Sequence, residues 1–520
     1  MKIKILQTFS FLIIVSLFTG AFGQTAATLY PVKRVESAET WRRDGWNAID
    51  SAKKQKFRKG KAKNVILFVG DGMGVSTLTA ARIFEGQMRG ESGEENRLSF
   101  EEFPFSALSK TYGTNQQTSD SAPTMSAIIS GVKTDEGVIS VNQNVQHANY
   151  KTVAGNETKT LLEYAEEAGK STGVVSTARL THATPAACYS HTPDRDWESD
   201  NDIFTRRKDA YEAKFPDIAR QLIEFRYGDG LEVALGGGRV KFLPKNVKDP
   251  EYSSRSGERL DGRNLTQEWL TKYKNSAFVW NKEQFDAIDA KKTNHLLGLF
   301  EFSHMQFEHD RLKDSAGEPS LSEMTTKAID VLSNNKKGYF WMVEGGRIDH
   351  AHHDGNAFRA LTDTVALSNA VRMAVSKVNL NETLIIVTAD HSHTFFIQGY
   401  PARGNNILGL VREVDNDGSI EEMPKGDRDK KPFTTLGYAN GPGARGAERP
   451  ALTQDMVLDP NYKQEASIPM SSETHGGEDV AIFATGVNAH LIRGSMEQNW
   501  IFYVMADAMR MRNADTPVRK

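Results

Sequence analysis

Short apolar runs recur along most of the chain, and segments with helical periodicity separate them. The runs lie at residues 65–69, 173–176, 233–235, 339–343, 384–387 and 480–483. Apolar runs of this length, without polar alternation, are typical of strands buried on both faces of a parallel sheet. Residues 321–332 and 357–378 carry apolar side chains at helical spacing. This alternation predicts an α/β fold, a three-layer sandwich with a mostly parallel central sheet and helices on both faces.

Two segments depart from the alternation and divide the chain. Residues 35–57 form an amphipathic helical pattern inside a predicted N-terminal helical arm at 24–60, which packs either on its own domain or on a partner subunit. Residues 394–470 are rich in glycine, proline and charge, which predicts an irregular, crown-like inserted lobe. Residues 61–393 and 471–520 then form the main α/β domain, which carries the candidate chemistry.

The first 23 residues have the pattern of an export signal. Lys2 and Lys4 precede a short apolar run at residues 9–18, and residues 21–23 (A-F-G) offer a small-x-small cleavage site. We therefore expect an exported protein, periplasmic or secreted. A buried N-terminal helix is the alternative interpretation of the same run.

Composition changes this picture only a little. The chain has 520 residues, 39% of them hydrophobic, and a formal net charge of −3, so charge gives no reason to expect nucleic acid as a specific partner. Cys188 is the single cysteine, which excludes an internal disulfide. The C-terminal N-A-D-T-P-V-R-K has no apolar tail, and no later run is long enough to span a bilayer, so we expect no membrane anchor.

Polar side chains follow the predicted strands at the points where the strands end. In an open parallel sheet these points share one edge, where ligands bind. Carboxylates, imidazoles and a hydroxyl are the groups that hold divalent metals. The strand-end candidates are Asp71, His182, Thr184, Glu344, Asp390 and His391. We therefore predict a metal site at this edge of the sheet.

Two further clusters strengthen the metal hypothesis. Asp349 and His353 are four residues apart in E-G-G-R-I-D-H-A-H-H, so they share one face of a helix. His475 lies in T-H-G-G-E-D, and His393 follows His391 as a candidate orienting group. A single histidine is more often structural than a metal ligand, but a structural interpretation of every cluster would need a separate coincidence for each.

Ser121 poses a local ambiguity. It stands with Asp120 directly before an apolar helical pattern, where serine and aspartate are favoured as helix caps. The same serine, held near a metal pair, would be a nucleophile. The residues around Ser121, taken alone, favour the cap. The start of the predicted helix would also direct its free N–H groups at a bound anion. Ser121 could therefore be both a helix cap and a nucleophile.

A set of motifs along essentially the whole mature chain resembles the alkaline phosphatase family. In order they are V-G-D-G-M-G, D-S-A, H-A-T-P-A, D-R-D-W, V-E-G-G-R-I-D-H-A-H-H, T-A-D-H-S-H and T-H-G-G-E-D. The resemblance implies a metal-dependent hydrolase of phosphate monoesters that works through a phosphoserine intermediate. It also implies a homodimer.

The resemblance further implies a role for each matching residue. Ser121 is the expected nucleophile, and Arg195 is the expected clamp on the phosphate. The first zinc is expected on Asp349, His353 and His475. The second zinc is expected on Asp71, Asp390 and His391, with Ser121 completing the set. Magnesium is expected on Asp71, Thr184 and Glu344.

Two departures place the chain closer to the animal-type branch than to the enteric bacterial form. His182 stands where the enteric form has aspartate, and His350 where it has lysine; both are expected to act beyond the metal ligands. Animal-type members also carry a calcium site. Its counterparts here are Glu251, the carbonyl of Phe300, Glu301 and Glu318, and a solvated acidic loop is the alternative.

Two other classes of function compete with this hypothesis. A phosphodiesterase or sulfatase of the same superfamily usually carries threonine or a modified cysteine as nucleophile, and Arg195 would not be expected in it. A non-catalytic exported protein that binds metal or phosphate would need no Ser121 beside a pair of metals. The D-S-A motif favours the phosphomonoesterase.

Overall fold

A ten-stranded sheet organises the chain in the computed structural model, which describes residues 29–32, 35–426, 428–446 and 448–511. The strands are β1 (Asn64–Gly70), β2 (Phe105–Lys110), β3 (Ser171–Arg179), β4 (Val233–Gly237), β5 (Ser276–Val279), β6 (His295–Leu299), β7 (Tyr339–Gly345), β8 (Thr383–Ala389), β9 (Ser392–His393), β10 (Phe395–Ile397), β11 (Leu436–Gly441), β12 (Ala466–Pro469), β13 (His475–Gly476), β14 (Val480–Gly486) and β15 (Gly494–Glu497). The export signal predicted at residues 1–23 lies outside the described residues.

The large sheet is mostly parallel. Its strand order is β15-β2-β14-β8-β1-β7-β3-β4-β6-β5. The run from β8 to β5 pairs in parallel throughout. Strand β14 is antiparallel to both of its neighbours, β8 and β2, while β15 is parallel to β2. The carboxyl ends of the parallel strands therefore meet at one edge, as the sequence predicts.

Helices fill most of the connections between strands. They are α1 (Ala38–Lys54), α2 (Val75–Met88), α3 (Ser121–Ser130), α4 (Leu161–Glu167), α5 (Ala183–Ala186), α6 (Asp200–Arg206), α7 (Lys208–Glu212), α8 (Ile218–Ile223), α9 (Arg239–Phe242), α10 (Leu265–Lys272), α11 (Lys282–Asp286), α12 (Leu321–Leu332), α13 (Arg347–His353), α14 (Ala357–Lys377), α15 (Gln454–Val457) and α16 (Trp500–Met509). Helix α12 begins where Ser320 and Glu323 form a capping box.

Two apolar cores lie on opposite faces of the sheet. Successive side chains of a strand point to opposite faces, and in β1 Val65 and Leu67 enter one core while Ile66 and Phe68 enter the other. The first core includes side chains of α3, α4, α8 and α16, and the second includes those of α2, α12 and α14. The predicted three-layer sandwich with helices on both faces is thus confirmed.

Helix α1 stands apart from these cores, whereas residues 394–470 form a sheet of their own that packs on the second core through Phe395, Leu436 and Tyr438. Helix α1 has no buried residue, and Trp41, Trp46 and Ile49 are exposed on it, so it does not pack into its own domain. Within residues 394–470, predicted as an inserted lobe, β10, β11 and β12 form a separate three-stranded sheet. Among the described residues, no helix combines the length and apolar character needed to cross a membrane.

Glu166, in the last turn of α4, is a buried carboxylate. Its hydrogen-bond partner, Thr172, is not one of the predicted metal ligands. Glu166 Oε1 accepts a hydrogen bond from Thr172 Oγ1 (2.5 Å), and Thr172 N–H donates to the neighbouring Glu232 (2.6 Å). Burial raises the pKa of Glu166 to about 9, and the charge of Glu232 contributes in the same direction. The folded state therefore favours the neutral form of this carboxyl.

We predict that Glu166→Gln protects the fold at alkaline pH. The unfolded chain ionises this group near 4.5. Between that pH and about 9 the folded state binds more protons, so stability falls as pH rises, by about 1 kcal/mol per pH unit. In calorimetry, the melting temperature of the variant relative to wild type should increase steadily across this window. Glu167→Gln, at the exposed neighbouring position, is the control, and a difference that does not change with pH would contradict the argument.

Candidate metal centre and nucleophile

The register of three central strands places three carboxylates side by side. Val69 of β1 pairs with Glu344 of β7, and Gly70 of β1 pairs with Ala389 of β8. Asp71 and Asp390 directly follow these last two residues, so they lie level with each other and two positions beyond Glu344, on the same side of the sheet. All three carboxylates are fully buried. The strand-end residues predicted from sequence are thereby brought together.

Asp349, His353 and His475 form one ligand-capable group. His353 Nε2 lies 3.2 Å from Asp349 Oδ1, and His475 Nε2 lies 3.4 Å from the same oxygen. The two Nε2 atoms are 3.1 Å apart. Asp349 and His353 lie on helix α13, and the pairing of β13 with β9 carries His475 to the same place. One ion could be reached by all three atoms at once.

Backbone carbonyls set the orientation of the three histidines at this edge. His353 Nδ1 donates to the carbonyl of Glu473 (2.6 Å), His475 Nδ1 to that of Ser119 (2.9 Å), and His391 Nδ1 to that of Ser392 (3.2 Å). A carbonyl oxygen only accepts, so each Nδ1 carries the hydrogen. Each Nε2 then offers a lone pair to the centre, which is the tautomer that a metal requires.

Asp71, Asp390 and His391 form a second group beside the first. His391 Nε2 lies 3.3 Å from Asp71 Oδ1 and 3.4 Å from Asp390 Oδ2. The imidazole of His391 stacks on that of His475, with ring centroids 3.6 Å apart, so the two groups are adjacent. Ser121 Oγ lies 3.2 Å from His391 Nε2 and 3.5 Å from Asp71 Oδ1.

A third group lies on the other side of Asp71. Thr184 Oγ1 is 3.5 Å from Asp71 Oδ2, and Ser176 Oγ donates to Glu344 Oε2. Asp71, Glu344 and His182 each place a ligand atom within 4.8 Å of the others. Among the described residues, Glu344 Oε1 has no hydrogen-bond partner. Asp71 therefore bridges two groups through its two oxygens.

Buried negative charge is concentrated around Asp71. Burial raises the pKa of Asp71 well above its ordinary value, and the nearby charges of Asp390, Asp349 and Glu344 raise it further. Buried carboxylates at this density repel one another unless cations lie between them. Asp390 Oδ2 is also buried and has no hydrogen-bond partner among the described residues. This donor set therefore fits divalent cations.

Ser121 is the first residue of α3 rather than its cap. Asp120 precedes the helix, and its side chain makes no capping hydrogen bond; its Oδ2 instead accepts from Arg195 Nη1 (2.7 Å). Ser121 is only 2% exposed, and its hydroxyl faces the groups around Asp71. The N-terminal end of α3, which favours anions, opens at this point.

Two residues that support the centre are harder to find in the sequence. His393 Nε2 lies 2.9 Å from Asp349 Oδ1, and its Nδ1 lies 2.6 Å from Glu473 Oε2. His393 was expected only as an orienting group, and Glu473 was not predicted. The signal for Glu473 is its position two residues before His475 in E-T-H. His350, expected beyond the ligands, packs with its ring centroid 5.3 Å from that of His182.

A separate acidic cluster contains two of the predicted calcium ligands, Glu251 and Glu301. Glu251, Glu301 and Asp314 each bring a carboxylate oxygen within 4.8 Å of the others. Phe300 directly precedes Glu301 and is buried. Glu318, expected here, instead accepts at Oε1 from Gln306 N–H (2.8 Å). The loop before Glu318 supplies Asp314 to the cluster, and Glu318 Oε2 is buried without a hydrogen-bond partner among the described residues.

Comparisons with known proteins agree on one family. The family model for alkaline phosphatase matches residues 62–511. An alkaline phosphatase from Gadus morhua is 46% identical over 462 residues, covering 87% of this chain and 93% of that protein. The tissue-nonspecific isozyme of alkaline phosphatase from Homo sapiens is also 46% identical over 462 residues, covering 87% of this chain and 85% of that one.

Solved bacterial structures share the fold at lower identity. The alkaline phosphatase from Thermus thermophilus superposes with a TM-score of 0.62 at 23% identity, covering 89% of this chain and 94% of that one. The enzyme from the Antarctic bacterium TAB5 has a TM-score of 0.58 at 21% identity, covering 87% and 100%. The sequence is therefore more similar to these animal enzymes than to these bacterial ones, as predicted. The chain belongs to the alkaline phosphatase family and is a phosphomonoesterase of that family.

Proposed function

We propose that this enzyme hydrolyses phosphate monoesters through a phosphoserine at Ser121, in a site that holds two zinc ions and one magnesium ion. The observation that carries the proposal is the position of Ser121 Oγ, within 3.5 Å of both His391 Nε2 and Asp71 Oδ1. A hydroxyl placed among ligand-capable atoms, at a helix N-terminus, is suited to attack an anionic phosphorus.

Each group of donors suits one of the proposed ions. Asp349, His353 and His475 offer nitrogen and oxygen donors to the first zinc, and Asp71, Asp390 and His391 offer them to the second. Asp71, Thr184 and Glu344 offer only oxygen, which suits magnesium. When bound, such ions supply positive charge for the attacking and leaving oxygens and lower the pKa of a hydroxyl.

The side chains then account for both halves of the reaction. Ser121 Oγ attacks phosphorus, the bond to Oγ forms as the bond to the alcohol oxygen breaks, and the alcohol leaves with a proton. Water next attacks the phosphoserine, the bond from phosphorus to Oγ breaks, and Ser121 regains its proton as phosphate leaves. Arg195 offers a two-pronged set of donors to the phosphate oxygens throughout.

We predict that Ser121→Ala nearly abolishes turnover while metal binding remains. The variant loses the Ser121 hydroxyl but keeps the other eight side chains that are proposed to hold the ions. Its zinc and magnesium content, measured by elemental analysis, should therefore stay near that of wild type. Turnover of p-nitrophenyl phosphate should fall by roughly 10³-fold or more.

Ser130→Ala is a matched control for this variant. Ser130 lies at the other end of α3, where its hydroxyl donates to the carbonyl of Ser126 (2.7 Å), so its loss should leave turnover intact. Turnover like that of wild type in Ser121→Ala would refute the nucleophile assignment. Faster hydrolysis of bis-p-nitrophenyl phosphate than of the monoester by the wild type would favour the phosphodiesterase alternative.

The proposal includes a calcium ion on Glu251, Glu301 and the Phe300 carbonyl, with Asp314 as a further ligand. Support comes from the unsatisfied oxygens of the cluster: among the described residues, Glu251 Oε1 and Asp314 Oδ2 are buried and lack hydrogen-bond partners. Several oxygen donors with a net negative charge suit calcium. The charge of Arg239, which donates to Glu251 Oε2 (2.5 Å), reduces that negative charge only in part.

We predict that calcium stabilises the wild type and that Asp314→Asn removes most of this effect. Ligand at about 100 times its Kd stabilises a protein by about 2.7 kcal/mol, so the melting temperature in excess zinc and magnesium should rise with added calcium. Glu318→Gln is the comparison variant and should keep the rise. Loss of the rise in Glu318→Gln but not in Asp314→Asn would assign the ligand to Glu318 instead.

The proposal also includes export and a homodimer, to which α1 contributes. Trp46 is 70% exposed and Ile49 is 47% exposed on a helix without buried residues. Apolar side chains on such a helix gain free energy when a second surface covers them.

We predict that the double variant Trp46→Glu and Ile49→Glu weakens the dimer. Placing charge on the apolar face of α1 opposes its burial, so light scattering after gel filtration should give a mass shifted toward that of one chain. Met373→Glu, at a partly exposed apolar position on α14, is the control and should stay dimeric. A wild type that is monomeric at micromolar concentration would exclude the dimer.

A further inference from the structure

Three histidines, His182, His304 and His350, pack together beside the candidate phosphate site. The ring centroids of His304 and His350 are 4.1 Å apart, and those of His304 and His182 are 5.5 Å apart. His182 and His350 were expected here from sequence, whereas His304 was not. It lies in F-S-H-M-Q, after the end of strand β6. The roles proposed above do not use it.

The loop that carries His304 is fixed against the sheet. Met305 N–H donates to the carbonyl of Thr177 in β3 (3.0 Å). The Ser303 carbonyl lies so close to Gly237 that a Cβ on that residue would meet it at 2.1 Å. Glycine at 237 is therefore needed for the loop to approach the ends of β3 and β4. The approach brings the His304 ring to the ligand edge.

A charged pair holds the far side of the His304 ring. The backbone N–H of Arg179 lies 3.2 Å from His304 Nδ1, and its guanidinium Nη1 lies 2.5 Å from His304 Nε2, so Arg179 contacts both ring nitrogens, of which a neutral imidazole offers one as acceptor. Glu198 accepts two hydrogen bonds from the same guanidinium, at 2.7 Å each. A guanidinium held by two parallel hydrogen bonds has a fixed position. His304 thus lies between this fixed support and the other two histidines.

His182 connects this cluster to Arg195. A guanidinium only donates, so His182 Nε2, 3.2 Å from Arg195 Nη2, is the acceptor. Asp120 Oδ2 accepts from the other terminal nitrogen of Arg195 (2.7 Å). The guanidinium is therefore held between one carboxylate and one imidazole. A shift of the His182 ring would therefore rotate the plane of the Arg195 guanidinium, which is proposed to bind phosphate.

We propose that His304 is a positioning residue, whose ring packs behind His182 and thereby fixes the orientation of Arg195 toward phosphate. Packing of the His304 ring on His182 is the proposed support, and the Arg179–Glu198 pair lies on the far side of the His304 ring. The inference rests on the proposed function of Arg195. It assigns to His304 an effect on phosphate affinity and no contact with the reacting atoms.

The test measures the affinity of the zinc- and magnesium-loaded enzyme for inorganic phosphate by titration calorimetry. His304→Asn keeps an acceptor near the Arg179 N–H but removes the ring, and it should raise Kd by about tenfold, since small displacements of a clamping group weaken binding strongly. KM for p-nitrophenyl phosphate should rise in parallel, with a smaller change in kcat. His304→Phe keeps a ring in the same place and should retain most of the affinity.

A double-mutant cycle with Arg195→Ala separates positioning from general loosening of the site. If the effect of His304 passes through Arg195, then His304→Asn should change Kd by less than about twofold in the Arg195→Ala background. His309→Asn is the control on the same loop, because its ring packs on Phe358, 4.8 Å between centroids, away from the three histidines. It should leave Kd unchanged.

A Kd like that of wild type in His304→Asn would overturn the inference, and so would an equal loss in both Arg195 backgrounds. A His304→Phe variant as weak as His304→Asn would also overturn it, because ring packing would then not be the cause. Failure of the proposed function has a different signature. It would show as a wild type that binds zinc and magnesium but does not turn over p-nitrophenyl phosphate.

Discussion

Buried carboxylates around Asp71 impose the constraint on which the rest of the structure depends. Asp71, Glu344, Asp349 and Asp390 are at most 4% exposed, and their mutual repulsion is a cost that water cannot relieve at this depth. Cations are the simplest remedy. The parallel sheet makes the arrangement reachable, because neighbouring strands end in register and so deliver their first loop residues to one small volume.

The imidazoles complement this arrangement of carboxylates. Because backbone carbonyls take the Nδ1 hydrogens of His353, His391 and His475, the main chain itself dictates which nitrogen faces inward. The orientation of the ligands is thus tied to the course of β9 and β13, not to the rotamers of neighbouring side chains alone. Glu473 orients two imidazole rings, since its backbone carbonyl accepts a hydrogen bond from His353 Nδ1 and its carboxylate lies 2.6 Å from His393 Nδ1.

Much of the fold and of the centre could be predicted from sequence, for identifiable reasons. Buried parallel strands are short apolar runs, and polar residues directly after them share an edge, so Asp71, Glu344 and Asp390 follow from pattern alone. The spacing of Asp349 and His353 needs only helix geometry. The family resemblance then supplied the nucleophile and the division of ligands among ions.

Contacts made by loops could not be predicted in the same way. Asp314 and Glu318 are both acidic residues of one irregular segment, and only its path decides which approaches Glu301. His304 has no periodic signal, and its position depends on the close approach at Gly237. Whether α1 packs on its own domain is likewise a tertiary question, since its amphipathic pattern is the same in either case.

The short pairing of β9 with β13 has a consequence for how the chain accommodates residues 394–470. The polypeptide leaves the metal edge at His393 and returns at His475, directly opposite it. Closing a long insertion whose two ends already touch costs little extra entropy as the insertion grows. Relatives could therefore lengthen, shorten or redecorate this segment while the ligands on either side of it stay where catalysis needs them, so the outer surface can diversify independently of the chemistry beneath.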